Sequence, residues 1–495
     1  MDTMTFAAVD LGAESGRVFL GELSEGRLSV KEAHRFLNDY IVINGKKKWM
    51  LYSLFKEIKI GLRKAAEAAR TPIAGIGIDT WGVDYGLLDS DGELCFLPCQ
   101  YRDESFVGAS DRFYAEKMDR DAVFQRVGIQ SMDINTLFQL YVAGRDNPAA
   151  LENAETLLMV PDILNYWITG VKKTEYSIAS TSQMLNVYDK TWATDIAELA
   201  GVPTRILPEI NDTGSLLGCV TEDIKAEMGV SYDIPVFSVP EHDTASAVVA
   251  VPFESSDAAF ISCGTWSLVG MELPGPVVNA DSARCNYTNE GGAYNTIRFL
   301  KNITGLWIVQ ECRRFWLAEG KDISYGDMTQ QAAECPGFRS LIDPNQQEFV
   351  SAGNMPAKIQ DFCRRTGQYV PQTVGEIIRC VNDSLALAYR QVILNLEEIT
   401  GQKIKRIHMV GGGIKNVILS GLTANACQRT VVTGPAEGTV IGNIMVQAIS
   451  SGAVKDVWEA REIIRRSENI GRVEPDAEVP SEVFDRFDAL CDESR

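Results

Sequence analysis

The chain has 495 residues and a formal net charge of −20 at pH 7, from 47 Lys and Arg against 67 Asp and Glu. Apolar residues make up 45% and charged residues 23%, a composition typical of folded globular proteins that excludes wholesale disorder. At roughly 150 residues per domain, this length predicts two or three domains. The negative charge repels nucleic acid and anionic lipid at long range, so we expect no nucleic-acid partner.

Apolar runs are short throughout the sequence. None reaches the roughly 18 residues that a membrane span needs, and the longest lies near residues 245–253. The first residues lack the basic region of a signal peptide, so we predict a cytoplasmic protein with no membrane partner. The eleven Cys are scattered without a C-x-x-C pair, which favours reduced thiols. A bridge between Cys363 and Cys380 stays open as an alternative.

The chain opens with strands. Apolar runs at 7–10 and 18–20 predict two strands joined by a glycine-containing turn at 11–17, and residues 28–35 predict a third strand. A doubly wound dinucleotide fold would start strand–helix instead. Further along the first half, the pattern predicts helices at 51–69, 121–127, 137–145, 161–169 and 244–251, and strands at 73–79, 84–88 and 235–238.

A partial echo of this opening occurs about half-way along the chain. A strand at 258–262, a turn with glycine and hydroxyl residues, and a strand at 268–273 repeat the hairpin. The alternation of helices and strands that follows predicts an α/β fold. The predicted elements there are helices at 374–396, 416–427, 438–450 and 456–466, strands at 404–410 and 431–433, and a last helix after 480.

The first hairpin turn has the residue types of a phosphate site. Asp10 ends the first strand, and Gly12, Ser15, Gly16 and Arg17 follow it. Backbone N–H groups in such a turn can face a phosphate, and a carboxylate can hold a hydrated Mg²⁺. A plain hairpin with a surface acid is the alternative.

Two turns in the second half offer related chemistry. Gly264 and Thr265 repeat the hairpin turn without the acid, while Gly411, Gly412 and Gly413 lie between a strand and a helix. Such glycines allow a flat ligand such as adenine to approach the backbone. Neither a Walker-type phosphate loop nor the dinucleotide fingerprint occurs in the sequence. An ordinary tight turn stays open for each.

Asp243 precedes a predicted helix of small residues, with His242 before it. A carboxylate at this position is either a helix cap or a general base that accepts a hydroxyl proton during phosphoryl transfer. His242 by itself is more often structural. Polar and aromatic residues at 81–84, 101–103 and 301–310 have the types that bind sugars, although any one could be an ordinary packing residue.

Together these motifs resemble those of the FGGY family of carbohydrate kinases, within the actin-like ATPase superfamily. The matching stretches run in order from about residue 7 to about residue 448. They include AVDLGAESGRV from Ala8, IDTWGVDYGLLD from Ile78, EYSIASTSQMLN from Glu175, HDTASAV from His242, ISCGTWSLVGMEL from Ile261, LKNITGLWIVQE from Leu300, VGGGIKN from Val410 and GPAEGTVIGN from Gly434.

The resemblance implies an α/β protein of two actin-like ATPase (RNase H-like) domains with a cleft between them. It implies an N-terminal sugar- and phosphate-binding domain at 1–252 and a C-terminal ATP-binding domain at 253–495. The sequence Pro-Glu-His-Asp before the helix predicted at 244–251 favours one branch of this family. Members of that branch phosphorylate L-rhamnulose at O1 with ATP and Mg²⁺, in the catabolism of L-rhamnose. A kinase for L-fuculose or a pentulose, and a non-kinase actin-like nucleotide-binding protein, stay open.

Residue roles follow from the same resemblance. Asp243 would be the catalytic base, and Asp10 and Asp243 would lie at the metal. The residues implied at ATP are Ala13, Glu14, Ser15, Gly16, Arg17, Thr265, Gln310, Gly411, Gly412 and Gly413. The residues implied at the sugar are Gly82, His242, Asp243, Thr244 and Asn302. The partners are then a small sugar and ATP, and the chain is a monomer or a homodimer.

Overall fold

The computed structural model describes residues 3–492. Its contacts group the chain into two compact units. The first comprises the described residues up to Pro252 together with Glu272–Phe299 and Gly438–Ser467. The second comprises Phe253–Met271, Leu300–Glu437 and the described residues from Glu468 onward. One break between the units therefore lies after Pro252, and two later segments belong to the first unit.

Strands and helices alternate over most of the described chain. The strands are β1 (Met4–Leu11), β2 (Ser15–Ser24), β3 (Arg27–Leu37), β4 (Tyr40–Ile43), β5 (Lys46–Trp49), β6 (Ile73–Thr80), β7 (Tyr85–Leu88), β8 (Thr156–Met159), β9 (Thr174–Glu175), β10 (Ile210–Asn211), β11 (Leu216–Cys219), β12 (Pro235–Phe237), β13 (Ala258–Cys263), β14 (Trp266–Leu273), β15 (Thr288–Gly291), β16 (Ile297–Thr304), β17 (Arg406–Val410), β18 (Thr430–Thr433) and β19 (Gly471–Val473).

The helices vary from one turn to more than seven. They are α1 (Leu51–Ala68), α2 (Ala109–Glu116), α3 (Arg120–Val127), α4 (Thr136–Asp146), α5 (Pro148–Asn153), α6 (Val160–Thr169), α7 (Tyr176–Ser180), α8 (Thr194–Leu199), α9 (Glu222–Met228), α10 (Asp243–Val249), α11 (Ala280–Arg284), α12 (Trp307–Ala318), α13 (Tyr325–Ala333), α14 (Gln347–Val350), α15 (Met355–Arg365), α16 (Val374–Thr400), α17 (Val417–Cys427), α18 (Gly438–Ser450), α19 (Val457–Ser467) and α20 (Ser481–Asp492).

The first unit is built on a six-stranded sheet in the order β11-β12-β6-β1-β2-β3. β1 pairs antiparallel with β2, which confirms the predicted hairpin, and parallel with β6. α1 confirms the predicted helix at 51–69, and its face of Leu54, Ile58, Leu62 and Ala65 is buried against this sheet. Burial of these apolar side chains supplies the main favourable free energy of folding in this layer.

The second unit repeats the opening hairpin. β13 pairs antiparallel with β14 and parallel with β17, which in turn pairs parallel with β18. β19 closes the other side of β18 in the antiparallel sense. The long helix predicted at 374–396 is present as α16, whose Thr373 N-cap and Glu376 form a capping box. The echo predicted from the sequence is therefore a structural repeat of the hairpin.

The structure bears on the predictions about membrane-spanning segments and about disulfides. Within residues 3–492, no helix is long and apolar enough to cross a membrane. None of the eleven cysteines forms a disulfide within residues 3–492. The thiols of Cys363 and Cys380 nevertheless hydrogen-bond each other, which is the largest influence lowering the pKa of Cys363.

Helix α18 packs closely on α10 inside the first unit. A Cβ added to Gly442 would lie 1.8 Å from the backbone oxygen of Ser246. Farther along α18, the amide of Gln447 donates to the backbone oxygen of Ala7 at 3.0 Å. A late segment of the chain is thereby fixed against both α10 and β1.

We expect Gly442→Ala to lower the free energy of unfolding by about 1–3 kcal/mol or more, because the contacted atom is backbone and cannot rotate away. Chemical unfolding measures the loss. Gly421→Ala is the matched control, since Gly421 also lies inside a helix but has no atom within 4 Å of an added Cβ. There the methyl group stabilises the helix by up to about 1 kcal/mol. Equal effects of the two substitutions contradict the packing argument.

Candidate active site

Strand register brings three acidic residues to one edge of the first sheet. In β1, Asp10 is paired with Arg17 of β2 on one side and with Asp79 of β6 on the other. One residue farther along β6, Thr80 bridges His242 in the parallel sense, so Asp243 follows at the same edge. The carboxyl ends of parallel strands are where α/β sheets commonly bind ligands. Asp79 had no role in the sequence-based prediction.

These carboxylates concentrate negative charge. Burial raises the pKa of Asp79 well above its ordinary value, and the charges of Asp10 and Asp243 raise it further. The Asn443 amide opposes this shift by donating to Asp79 Oδ2 at 2.6 Å. On the other side, the Arg17 guanidinium forms an ion pair with Asp10. A cation bound at this end of the sheet would therefore lower the electrostatic energy of the three carboxylates.

The oxygen donors also match the preference of Mg²⁺. That ion commonly takes one or two carboxylates and keeps several water ligands. Among residues 3–492, no group of three or more His, Cys, Asp and Glu side chains is arranged to hold a metal by itself. The second oxygen of Asp79, Oδ1, has no hydrogen-bond partner in the described chain. The carboxylates of Asp10 and Asp243 match the one or two that Mg²⁺ commonly takes.

The hairpin turn between β1 and β2 is tight. The Gly12 N–H donates to the backbone oxygen of Ser15 at 2.9 Å, leaving Ala13 and Glu14 at the tip. Asn38 holds the turn from outside, because its side chain donates to Gly12 O at 2.8 Å and its backbone N–H to Glu14 O at 3.1 Å. Sequence analysis missed Asn38, which follows β3 and carries no motif.

Two glycines of the first unit serve different needs. A Cβ on Gly16 would lie 2.3 Å from the ring of Phe36, so packing requires this glycine. A Cβ on Gly82 would lie 3.3 Å from Thr181 Cγ2 and 3.4 Å from His242 Nε2. Gly82 therefore borders the imidazole of His242, and the structure brings these two predicted sugar-site residues together.

Asp84 organises the loop between β6 and β7 that contains Gly82. Its fully buried carboxylate accepts hydrogen bonds from the indole N–H groups of Trp49 at 2.5 Å and Trp81 at 2.9 Å. The Gln139 amide also donates to it at 2.9 Å, and the Tyr101 backbone N–H at 3.3 Å. Burial raises the pKa of Asp84 to about 6, while these four donors lower it.

Asp243 begins α10, one residue earlier than the sequence pattern predicted. Its side chain is 31% exposed, and Oδ1 lies 3.4 Å from His242 Nε2. The hydroxyl of buried Thr244 donates to the same oxygen at 3.2 Å. The carboxylate is therefore both oriented by neighbours and accessible to a ligand. Asn302, the remaining residue predicted at the sugar, is half-buried in β16.

The segment leading to Asp243 is held by a buried carboxylate. Glu175 accepts hydrogen bonds from the backbone N–H of Glu241 at 3.1 Å, from the N–H of Ser177 at 2.8 Å and from the Thr213 hydroxyl at 2.5 Å. The Ser177 hydroxyl in turn accepts the N–H of His242 at 3.2 Å. Glu175 lies in one of the stretches matched by sequence, but the pattern gave it no role.

In the second unit, the turn between β13 and β14 is attached to the start of α12. The Trp307 N–H donates to Thr265 O at 3.0 Å, and the Leu306 N–H to Gly264 O at 3.0 Å. Gln310 lies on the first turn of α12, and its Oε1 is buried without a hydrogen-bond partner among residues 3–492. The structure thus brings the predicted ATP residues Thr265 and Gln310 onto one small substructure.

The three glycines after β17 are not equivalent. Gly411 has φ +88°, a conformation that favours glycine. A Cβ on Gly413 would lie 2.3 Å from Cys263 Sγ, so packing requires that residue. Gly412 has no atom within 4 Å of an added Cβ. Of the three glycines, Gly412 is therefore the one whose backbone a flat ligand can approach.

Comparison with known proteins shows which family the chain belongs to. The N-terminal domain model of the FGGY family of carbohydrate kinases matches residues 5–250, and the C-terminal domain model of that family matches residues 259–451. The chain belongs to the FGGY family of carbohydrate kinases. It is therefore a phosphotransferase, and kinases of this family use ATP. The family assignment inferred from the motifs is confirmed.

Relatives of similar length carry one name. A rhamnulokinase of Bacteroides thetaiotaomicron is 43% identical over 462 residues, covering 93% of this chain and 94% of the relative. A rhamnulokinase of Ligilactobacillus salivarius is 37% identical over 493 residues, covering 99% of both chains. These alignments extend over nearly the whole chain, including the segments that supply both units.

Solved structures confirm the fold. The gluconate kinase of Lactobacillus acidophilus superposes with a TM-score of 0.78 at 16% identity, covering 99% of this chain and 98% of that one. The glycerol kinase of Plasmodium falciparum superposes with a TM-score of 0.77 at 14% identity, covering 99% and 97%. The predicted α/β class with two actin-like ATPase domains is thus confirmed.

We expect the stability contributed by Asp84 to depend on pH. Its folded-state pKa of about 6 lies above the ordinary 3.8, so the folded chain keeps a proton that the unfolded chain has released. The contribution is complete below about pH 4 and is lost as the pH rises through about 6, by at most about 3 kcal/mol. Urea unfolding followed by tryptophan fluorescence, compared with Asp84→Asn, measures it. A difference that is constant from pH 4 to pH 7 contradicts the shift.

Proposed function

We propose that this kinase transfers the γ-phosphoryl group of ATP to O1 of L-rhamnulose, giving ADP and L-rhamnulose 1-phosphate. The observation that carries the proposal is the similarity to curated rhamnulokinases, at 37–43% identity over 93–99% of this chain. The reaction belongs to the catabolism of L-rhamnose. Eleven cysteines without a disulfide among residues 3–492 suit the reducing cytoplasm, where we place the enzyme.

Asp243 is our candidate for the catalytic base. Its carboxylate is oriented by Thr244 and His242 and is exposed enough to reach a ligand. In the proposed step it accepts the proton of the O1 hydroxyl while that oxygen attacks the γ-phosphorus and the bond from phosphorus to the β–γ bridging oxygen breaks. The leaving group is ADP, and the proton stays on the carboxylate until solvent removes it.

The sugar would lie beside the same carboxylate. Gly82, His242 and Thr244 surround Asp243 within the first unit, and the supports of Asp84 and Glu175 fix the segments that carry them. Because these supports are buried and hydrogen-bonded, the sugar-binding side chains need little reorganisation when a ligand enters. We also assign Asn302 of β16 a hydrogen bond to the sugar.

The phosphates of ATP would face the turn between β1 and β2. Backbone N–H groups at the tip and the Arg17 guanidinium offer donors to developing negative charge, as in other phosphate-binding turns. Arg17 is 20% exposed and already pairs with Asp10. In the second unit, Thr265, Gln310 and the open backbone at Gly412 are the proposed contacts to the rest of the nucleotide.

Asp10 and Asp243 would hold Mg²⁺. When bound, this ion would supply neutralisation of phosphate charge, which is its general role in phosphoryl transfer. Asp79 would be coupled to both, because burial and the charges of Asp10 and Asp243 raise the pKa of its carboxyl. The hydrogen bond from Asn443 would keep Asp79 in place during the reaction.

We expect Asp243→Asn to lower kcat by at least about 10²–10⁴-fold, because the amide cannot accept the hydroxyl proton. Affinity for ATP, measured by titration calorimetry, should be retained. Asp223→Asn is the matched control, since Asp223 is likewise an aspartate in the first turn of a short helix but is exposed and outside the candidate site. Undiminished turnover in Asp243→Asn contradicts the assignment of the base.

A panel of substrates tests the sugar. With Mg-ATP, we expect kcat/KM for L-rhamnulose to exceed the values for L-fuculose, L-ribulose, D-xylulose and glycerol, because hydroxyl contacts in a built pocket discriminate among sugars. Coupled release of ADP is the measurement. Preference for another ketose contradicts the proposed substrate while leaving the kinase mechanism. Loss of ATP without any dependence on sugar contradicts both.

A further inference from the structure

Behind His242 lies a buried arginine that the proposed reaction does not use. Arg298, on β16, is fully buried in the first unit. Its Nη2 lies 3.0 Å from Glu290 Oε2 and 3.0 Å from His242 Nδ1. Its Nε donates to the backbone oxygen of Gly291 at 2.9 Å. The guanidinium is thereby fixed at three points against the imidazole and the carboxylate.

The direction of these hydrogen bonds determines where the imidazole carries its proton. A guanidinium has only N–H donors and is always charged in proteins. Arg298 Nη2 hydrogen-bonds His242 Nδ1 at 3.0 Å and forms an ion pair with Glu290 Oε2 at the same distance. Nδ1 must then present its lone pair, and a neutral ring must carry its proton on Nε2.

One competing hydrogen bond has to be weighed. Glu290 Oε2 lies 3.3 Å from His242 Nδ1, so the carboxylate is a competing hydrogen-bond acceptor if Nδ1 carries a proton. A hydrogen on Nδ1 would point into the space that the hydrogen of Arg298 Nη2 occupies. The Nη2 atom lies 3.0 Å from His242 Nδ1 and 3.0 Å from Glu290 Oε2. Two donors cannot share one line, and the buried guanidinium cannot give up its proton. Arg298 therefore donates to Nδ1, and Nδ1 carries no proton.

The opposite ring nitrogen faces the candidate site. His242 Nε2 lies 3.4 Å from Asp243 Oδ1 and 3.4 Å from the place where a Cβ on Gly82 would lie. A hydrogen on Nε2 therefore lies on the side of the ring that borders Gly82 and the proposed base Asp243. A sugar hydroxyl there could accept from Nε2–H and direct its own hydrogen toward Asp243.

We propose that Arg298 and Glu290 are positioning residues that hold His242 in the Nε2–H tautomer, as a fixed hydrogen-bond donor to one hydroxyl oxygen of the sugar. The sugar-binding part of this inference rests on the proposed function. Arg298 orients the ring by donating to Nδ1, and Glu290 balances the arginine's buried charge. A sugar that lacks this oxygen would lose the hydrogen bond from Nε2–H, so the fixed donor contributes to specificity.

The state of the ring is measurable without any substrate. The chain contains three His, at positions 34, 242 and 408, so ¹⁵N-histidine labelling gives three imidazole spin systems. His242→Asn assigns one of them by its disappearance. In the wild-type full chain we expect Nδ1 of His242 to resonate as an unprotonated nitrogen and Nε2 as a protonated one. A proton on Nδ1, alone or together with one on Nε2, overturns the proposal.

Kinetics of Arg298 variants provide the second measurement. Arg298→Met removes the donor to Nδ1, and we expect the KM for the sugar to rise about tenfold, the loss of roughly one good hydrogen bond, with the KM for ATP unchanged. Arg298→Lys keeps a cation and a donor, so it should recover part of the loss. Unaltered KM for the sugar in folded Arg298→Met contradicts the proposal.

Arg461→Met is the matched control for loss of a buried arginine. Arg461 is buried in the same unit and pairs with Glu272 at 2.8 Å, away from His242. We expect it to lower stability but to leave both KM values and the tautomer of His242 unchanged. An equal rise in sugar KM in this control overturns the specific role of Arg298. If Arg298→Met fails to fold, the tautomer of the wild-type chain decides the question.

The two measurements also separate this inference from the proposed function. Absence of L-rhamnulose phosphorylation, with the Nε2–H tautomer observed, contradicts the substrate and leaves the positioning network. Phosphorylation of L-rhamnulose, with a proton on Nδ1 of His242, leaves the function and overturns the network.

Discussion

The site depends on keeping an acidic residue inside the first sheet. Asp79 is fully buried next to Asp10 on the neighbouring strand, and Asn443 and Arg17 are the partners that oppose the rise in its pKa. The Asn443 amide is one such partner, delivered by α18 from 364 positions away. Because an unpaired buried carboxylate is costly, the docking of α18 and the formation of the acidic edge are one structural event.

Local patterns predicted the elements that carry the site. Alternating apolar runs and glycine turns gave both hairpins, and helical spacing gave α1 and α16, since these signals lie within a few residues of one another. Residues 274–373 were left without elements. The helices α11 and α14 there have 5 and 4 residues and are too brief to develop a helical period. The 12 residues of α12 and the 11 of α15 are long enough, so these two helices were missed for a different reason.

The residues missed at the site share a physical reason. Asn38, Asp79 and Arg298 owe their positions to strand register and to hydrogen bonds with residues distant in sequence. No local spacing encodes such contacts. Family resemblance located Gly16 and Gly413, but the structure shows that both meet a packing need, against Phe36 and Cys263. A motif therefore identifies a position without stating what physical requirement selects the residue.

The interleaving of the two units has a consequence for biosynthesis. The first unit includes Gly438–Ser467, so a ribosome that has just completed residue 252 has not yet made α18. At a translation rate of roughly 5–20 residues per second, the wait for Asn443 lasts about 10–40 s. During that interval β1 and β6 lack the helix that covers them, and Asp79 lacks its amide. The nascent chain must therefore keep an incomplete acidic sheet from aggregating until synthesis is almost finished.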